Sequence, residues 1–228
     1  MNRRELGFSA TAALLTESTA RAAEINGPRR RATRVPAKWL YVLLHGFGSN
    51  GDDMYSLAPA FQDAVPTATL VSPNAPFSMG KGAYSWLPPT GAQGPFMNGA
   101  AALNGFIDAE LQRQGVAAEN LLLIGFSQGS SMAINVGIRR PVPPAVVVAY
   151  EGARLDMAGL PSGGSKPPML LVRGTEDDRV QPAMFDATVA ALKGIGLPVR
   201  TSVLSGLGHN IDERGIKVAI DLIRTVAV

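Results

Sequence analysis

The chain has 228 residues, 46% of them hydrophobic, enough for one sizeable core and, by length, for one domain or two. It has no cysteine and two histidines, His45 and His209, which excludes disulfides, thiolate metal sites, a cysteine nucleophile and a histidine-rich metal centre. The net charge of +3 and pI of 9.4 invite a nucleic-acid partner, but residues 1–38 hold eight basic and three acidic residues and the remainder 13 and 15, so the body is nearly neutral and no nucleic acid is expected.

At the start of the chain, Arg3 and Arg4 precede a mildly apolar run from Leu6 to Leu15, a polar stretch and Ala20-Arg21-Ala22. A charged start, a short apolar stretch and an A-x-A-like site are the order of an export signal. The paired arginines resemble a twin-arginine signal, with cleavage near Ala22–Ala23. The other reading of residues 1–35 is a disordered basic tail on a cytoplasmic protein, and both readings stand. No apolar run reaches the roughly 18 residues of a membrane span, so stable membrane insertion is not expected.

Residues 36–228 read as one α/β domain. "KWLYVLLHG" (38–46) is a buried strand ending at a glycine-rich turn, and "TATLVSPNAP" (67–76) is a shorter strand closed by prolines. A Gly/Pro-rich loop over about 73–99 leads to a helix over 97–114, carried by Leu103, Phe106, Ile107 and Leu111. "ENLLLIGF" is a strand, 128–139 a helix, and "PAVVVAYEG" and "PPMLLVRG" two more strands. A helix over about 182–192, the strand "VRTSVLSG" and a helix over 213–226 complete the chain. Strands that are continuous apolar runs, alternating with helices, predict a mostly parallel central sheet with helices on both faces.

In such sheets ligands sit beyond the carboxyl ends of the strands. After "LLLI" comes Gly125-Phe126-Ser127-Gln128-Gly129. A nucleophilic serine must project its oxygen while the next helix crowds its backbone, and glycines two before and two after remove the Cβ atoms that would clash. This G-x-S-x-G pattern between strand and helix is a nucleophile elbow. The hydroxyl needs a base, and His209 follows "VRTSVL" at a strand end. The orienting carboxylate belongs between the two in the chain, where "RGTEDDRV" supplies Glu176, Asp177 and Asp178. One of the three is expected to act on the histidine and the others to charge the N-terminus of the following helix. An oxyanion would be held by the backbone N–H of Gln128 and of Phe47 in "HGFGSNG", with His45 shaping that loop. The loop also satisfies G-x-G-x-x-G, but the end of the next strand, Val71-Ser72-Pro73-Asn74, lacks the acidic residue a dinucleotide site needs.

With "LLHGFGSNGDDM", "SPNAP", Ser85-Trp86, "GFSQGSSMA", "GTEDDRV" and "GLGHNID" in this order, the sequence resembles the phospholipase/carboxylesterase family of α/β-hydrolases, which includes acyl-protein thioesterases. The resemblance spans nearly everything past the tail. It implies an α/β-hydrolase fold, Ser127 as nucleophile, Asp177 as acid, His209 as base, and no cofactor or metal. It also implies small ester or acyl substrates: short- to medium-chain carboxylic esters, thioesters or lysophospholipids. The chain departs from the family in having Arg173 where histidine is usual before the glycine of the acid motif. Gln181 intervenes before Pro182, and Glu151-Gly152 replaces the usual Ser-Gly. Some hydrolases carry the acid after that strand, which makes Glu151 the second candidate. Met79, Trp86 and Leu87, with Phe77 and Phe96, are expected to line an acyl pocket, or alternatively to anchor a surface loop. The rival functions are an acyltransferase using the same acyl-enzyme and a non-catalytic binding protein on the same fold.

Overall fold

The computed structural model describes residues 25–88, 97–152, 154–157, 160 and 164–227. The main sheet has seven strands: β1 (Arg29–Arg30), β2 (Trp39–Leu44), β3 (Ala68–Val71), β6 (Leu121–Phe126), β7 (Val146–Tyr150), β8 (Met169–Gly174) and β9 (Val199–Leu204), in the order β1-β3-β2-β6-β7-β8-β9. All are parallel except β1, which pairs antiparallel with β3. A separate hairpin joins β4 (Phe77–Gly80) and β5 (Ala83–Ser85). The helices are α1 (Gly51–Tyr55), α2 (Ala58–Ala64), α3 (Met97–Gln114), α4 (Gln128–Gly137), α5 (Pro182–Gly194) and α6 (Glu213–Arg224).

The continuous apolar strands serve two cores at once. Successive side chains of a strand point to opposite faces. Leu40, Val42, Leu44, Leu121, Leu123, Val147, Ala149 and Leu171 meet residues of α3, α4 and α5, such as Leu103, Ile134 and Phe185. Tyr41, Leu43, Leu122, Ile124, Val148 and Val172 meet residues of α1, α2 and α6, such as Met54, Phe61 and Ile223. A sheet covered on both faces has no room for polar alternation, which is why its strands read as unbroken hydrophobic runs. The expected α/β-hydrolase architecture, a mostly parallel sheet with helices on both faces, is the one observed.

Two features depart from the sequence reading. The Gly/Pro loop after β3 contains the β4–β5 hairpin, with Gly80 and Gly82 at positive φ around its turn. The folded domain also begins before residue 36. Arg29 and Arg30 pair with Val71 and Leu70, and Ser72 N–H donates to Pro28 O at 3.0 Å. The Arg29 guanidinium donates to Glu110 Oε1 from Nε at 2.9 Å and from Nη2 at 2.6 Å, and Arg113 reaches the same oxygen at 3.0 Å. Residues 1–24, and with them the export reading, lie outside the described residues.

Glu110 is buried, and Arg29 and Arg113 are its ion-pair partners among the described residues. Arg29→Ala leaves Arg113 alone on it. The expected loss is about 1–2 kcal/mol, given the partial exposure of Arg29, or a drop of a few degrees in Tm by calorimetry. An unchanged Tm would place Arg29 outside the stabilised domain.

Candidate active site

Strand β6 runs through the middle of the sheet and ends at Phe126; α4 starts at Gln128. Ser127 alone makes the turn between them, with φ 54° and ψ −116°, a conformation that costs an L-residue on the order of 1–3 kcal/mol. The surroundings impose it. Ser127 N–H donates to Tyr150 O at 2.8 Å, and Ser127 O accepts from the N–H groups of Ser130 and Ser131. The flanking glycines are required by close approach: a Cβ on Gly125 would overlap Gly129 O, and one on Gly129 would overlap Leu44 O and His45 O. The helix N-terminus is thereby pressed against the end of β2, and the Ser127 side chain stands free of both.

Three loops from three strand ends meet at that side chain. Ser127 Oγ lies 3.0 Å from His209 Nε2, and His209 Nδ1 lies 2.9 Å from Asp177 Oδ2. An ionised carboxylate can only accept, so Nδ1 carries the hydrogen and Nε2 is left as the acceptor for the serine hydroxyl. Asp177 Oδ1 accepts from the N–H groups of Arg179 at 2.7 Å and Val180 at 2.9 Å. Phe126 packs against the imidazole, with ring centroids 4.9 Å apart. Burial pushes the Asp177 carboxyl up, but the neighbouring Glu151 carboxyl and the hydrogen bonds from His209, Val180 and Arg179 outweigh it and hold Asp177 down to about 2. Of the acidic run, Asp177 is buried while Glu176 and Asp178 are exposed. The latter two do not charge a helix N-terminus as expected, because α5 begins only at Pro182 and has no acidic residue in its first turn.

The loop after β2 lies against the elbow, where a Cβ on Gly46 would come to 3.4 Å from Ser127 Cβ. The backbone N–H groups of Phe47 and Gln128 make no backbone hydrogen bond among the described residues. His45 is fully buried and holds this loop: Nδ1–H donates to Gly46 O at 2.7 Å, and Nε2 accepts from Ala75 N–H at 2.9 Å. Both contacts together require the neutral ring, and burial lowers its pKa in the same sense.

The residues expected to line an acyl pocket differ in exposure. Trp86 is fully buried, its indole N–H donating to His45 O at 2.9 Å, so it supports the loop rather than lining an open pocket. Met79 is exposed on the hairpin, and Leu87 is half-buried against the core. Phe96 lies outside the described residues. Among the described residues a cleft of about 380 Å³ opens between the β2 loop, α1 and the residues after His209, lined by Gly46, Ser49, Asp53, Phe126, Asn210 and Ile211. Sequence reasoning also missed the Gln128 side chain, whose Oε1 accepts from Trp86 N–H at 2.8 Å and ties the 85–87 segment to the elbow. A polar side chain inside G-x-S-x-G was the available signal.

Glu151 is the neighbour that sequence reasoning left as a second acid. It is fully buried, and one oxygen each of Glu151 and Asp177 and one nitrogen of His209 all lie within 4.8 Å of one another. That trio is also the set of potential metal ligands among the described residues, although Asp177 and His209 spend an atom each on their mutual bond. The contact of His209 is with Asp177 and not with Glu151.

The phospholipase/carboxylesterase family profile matches residues 26–227. The chain belongs to that family. Esterase YpfH of Escherichia coli K12 is 30% identical to this family member over 203 residues, covering 83% of each chain. Acyl-protein thioesterase 1 of Saccharomyces cerevisiae is 28% identical over 145 residues, covering 56% of this chain and 63% of the yeast one. The crystal structure of esterase PE8 superposes with a TM-score of 0.81 at 30% identity, covering 89% of this chain and 99% of that one. This phospholipase/carboxylesterase-family protein is a carboxylic ester hydrolase. No helix among the described residues is long and apolar enough to cross a membrane.

Burial above all, then the neighbouring Asp177, pushes the Glu151 carboxyl up to about 9, against Gly174 N–H and Arg173. Between the ordinary glutamate range and about 9 the folded chain therefore holds a proton that the unfolded chain has released. Stability that is full below that range is lost as pH rises towards and through the folded value. Glu151→Gln removes this dependence, so its Tm should exceed the parent's by more at about pH 8 than at about pH 5. An equal or smaller difference at the higher pH would show Glu151 to be ionised in the fold.

Proposed function

We propose that this esterase cleaves short- to medium-chain carboxylic esters, thioesters among them, through an acyl-enzyme on Ser127. The observation that carries the reading is the unbroken chain of bonds from Ser127 Oγ through His209 to Asp177, assembled from residues 127, 209 and 177. Ser127 Oγ attacks the carbonyl carbon as His209 Nε2 takes its proton. Asp177 keeps Nδ1 protonated and stabilises the imidazolium that forms. The carbonyl oxygen becomes an anion facing the N–H groups of Phe47 and Gln128; a donor of that kind contributes about 3–4 kcal/mol. His209 returns the proton to the leaving oxygen or sulfur. Water then attacks the acyl-enzyme by the same proton path.

A cleft of about 380 Å³ borders the site at Gly46, Phe126 and Asn210, a size at the lower end of ligand pockets and compatible with small substrates. The thioester option is supported by the yeast relative named acyl-protein thioesterase 1. The unmodified Ser–His–Asp geometry disfavours a purely binding role. Acyl transfer to an alcohol would use the same intermediate and would appear as an ester product when alcohol is added.

The test is a p-nitrophenyl ester series of increasing chain length. Ser127→Ala should lose at least about 10⁴-fold in kcat and fail to label with a fluorophosphonate, and Asp177→Asn should lose on the order of 10³–10⁴-fold. Full activity in Ser127→Ala would remove the acyl-enzyme.

A further inference from the structure

The mechanism above leaves Glu151 without a role, yet Glu151 is built into the site. It is the first residue after β7, with φ 49°, in the left-handed region that a side chain disfavours. Its N–H donates to Val172 O at 2.9 Å, which fixes the backbone there. The side chain is fully buried, and among the described residues neither carboxyl oxygen has a partner of regular hydrogen-bond geometry. A buried carboxyl without a partner is costly, and a buried carboxylate far more so.

The groups facing it come from four elements. Asp177 comes from the loop after β8, His209 from the loop after β9, and Arg173 from the end of β8. The elbow helix lies against Gly152, where a Cβ would press on Ser130 Oγ and Ser127 O. Two carboxyl oxygens within 4.8 Å cannot both be ionised cheaply away from water. Asp177 wins the charge because it has three fixed donors: His209 Nδ1–H and the N–H groups of Arg179 and Val180. Glu151 has no comparable set. The Arg173 guanidinium pulls the other way, but it stands over the Phe185 ring at 5.7 Å and makes no hydrogen bond to Glu151.

We propose that Glu151 is a positioning residue which, as the neutral acid, turns its proton towards Asp177 and so keeps the Asp177 carboxylate both charged and aimed at His209. The inference rests on the Ser127–His209–Asp177 reading. The pair then carries one negative charge and one proton. Loss of that proton leaves two like charges side by side and removes a donor from Asp177. Both changes loosen the imidazole, so turnover should fall on the alkaline side as Glu151 ionises near 9.

The experiment measures kcat and KM for a p-nitrophenyl ester from about pH 6 to about pH 10.5 on the parent, Glu151→Gln and Glu151→Leu. Circular dichroism and fluorophosphonate labelling of Ser127 check that each variant is folded. Glu151→Gln keeps a donor, so its kcat at neutral pH should stay within about threefold of the parent's and its alkaline decline should disappear. Glu151→Leu removes the donor. Its kcat should fall about tenfold with KM unchanged, the size of one charge-assisted hydrogen bond. The proposal is overturned if Glu151→Gln keeps the alkaline decline, or if Glu151→Gln falls as far as Asp177→Asn, which would make Glu151 the charged partner of His209. If Glu151→Leu does not fold, the pH profile of Glu151→Gln decides alone. Failure of the triad reading itself is distinct: Ser127→Ala would stay active whatever Glu151 does.

Discussion

The site depends on one crowded junction, where the N-terminus of α4 is pressed onto the carboxyl ends of β6 and β2. Gly125 and Gly129 permit a backbone approach that no Cβ would allow. That approach forces Ser127 into its positive φ and leaves its hydroxyl projecting from the sheet edge. The same compression brings the Gly46 loop against Ser127, so the hydroxyl and the N–H groups of Phe47 and Gln128 share one small region. Strain at Ser127 is held in place by the sheet through Tyr150 O and by α4 through Ser130 and Ser131.

Parallel strands supply the rest. Because β2, β6, β7, β8 and β9 run the same way, all five end on one edge. Their loops deliver Phe47, Ser127, Glu151, Asp177 and His209 to that edge from five separate parts of the chain. The electrostatics follow from how many fixed donors each loop provides. The loop after β8 turns two N–H groups onto Asp177 and the loop after β9 adds a third donor, His209 Nδ1–H, which together favour its charged form. The loop after β7 leaves Glu151 buried with no such set.

A second tier of contacts keeps the β2 loop rigid. His45 bridges Gly46 and Ala75, Trp86 donates to His45 O, and Gln128 accepts from Trp86 N–H. The elbow, the β2 loop and the 85–87 segment thus form one closed network. Trp86, which a substrate-pocket reading would place around the acyl chain, is spent on this support, and a cleft forms on the side of α1 and Asn210.

Sequence by itself determined the layered fold, because burial on both faces of a parallel sheet requires continuous apolar runs. Those runs at 39–44, 121–126, 146–150 and 169–174 are visible without coordinates. It also determined which serine and histidine to consider, since G-x-S-x-G between strand and helix has a steric reason and the chain has two histidines. The family resemblance pointed to Asp177 among Glu176, Asp177, Asp178 and Glu151, but that its carboxylate is the one against the imidazole is visible only in the tertiary structure, because burial and distance to a ring 32 residues further on have no local signature. It also decided that Arg29-Arg30 is an edge strand, since backbone pairing with β3 is indifferent to the basic side chains that made the segment read as a tail. Side-chain chemistry is written locally; the direction in which a buried tryptophan or glutamate points is set by neighbours that are distant in the chain.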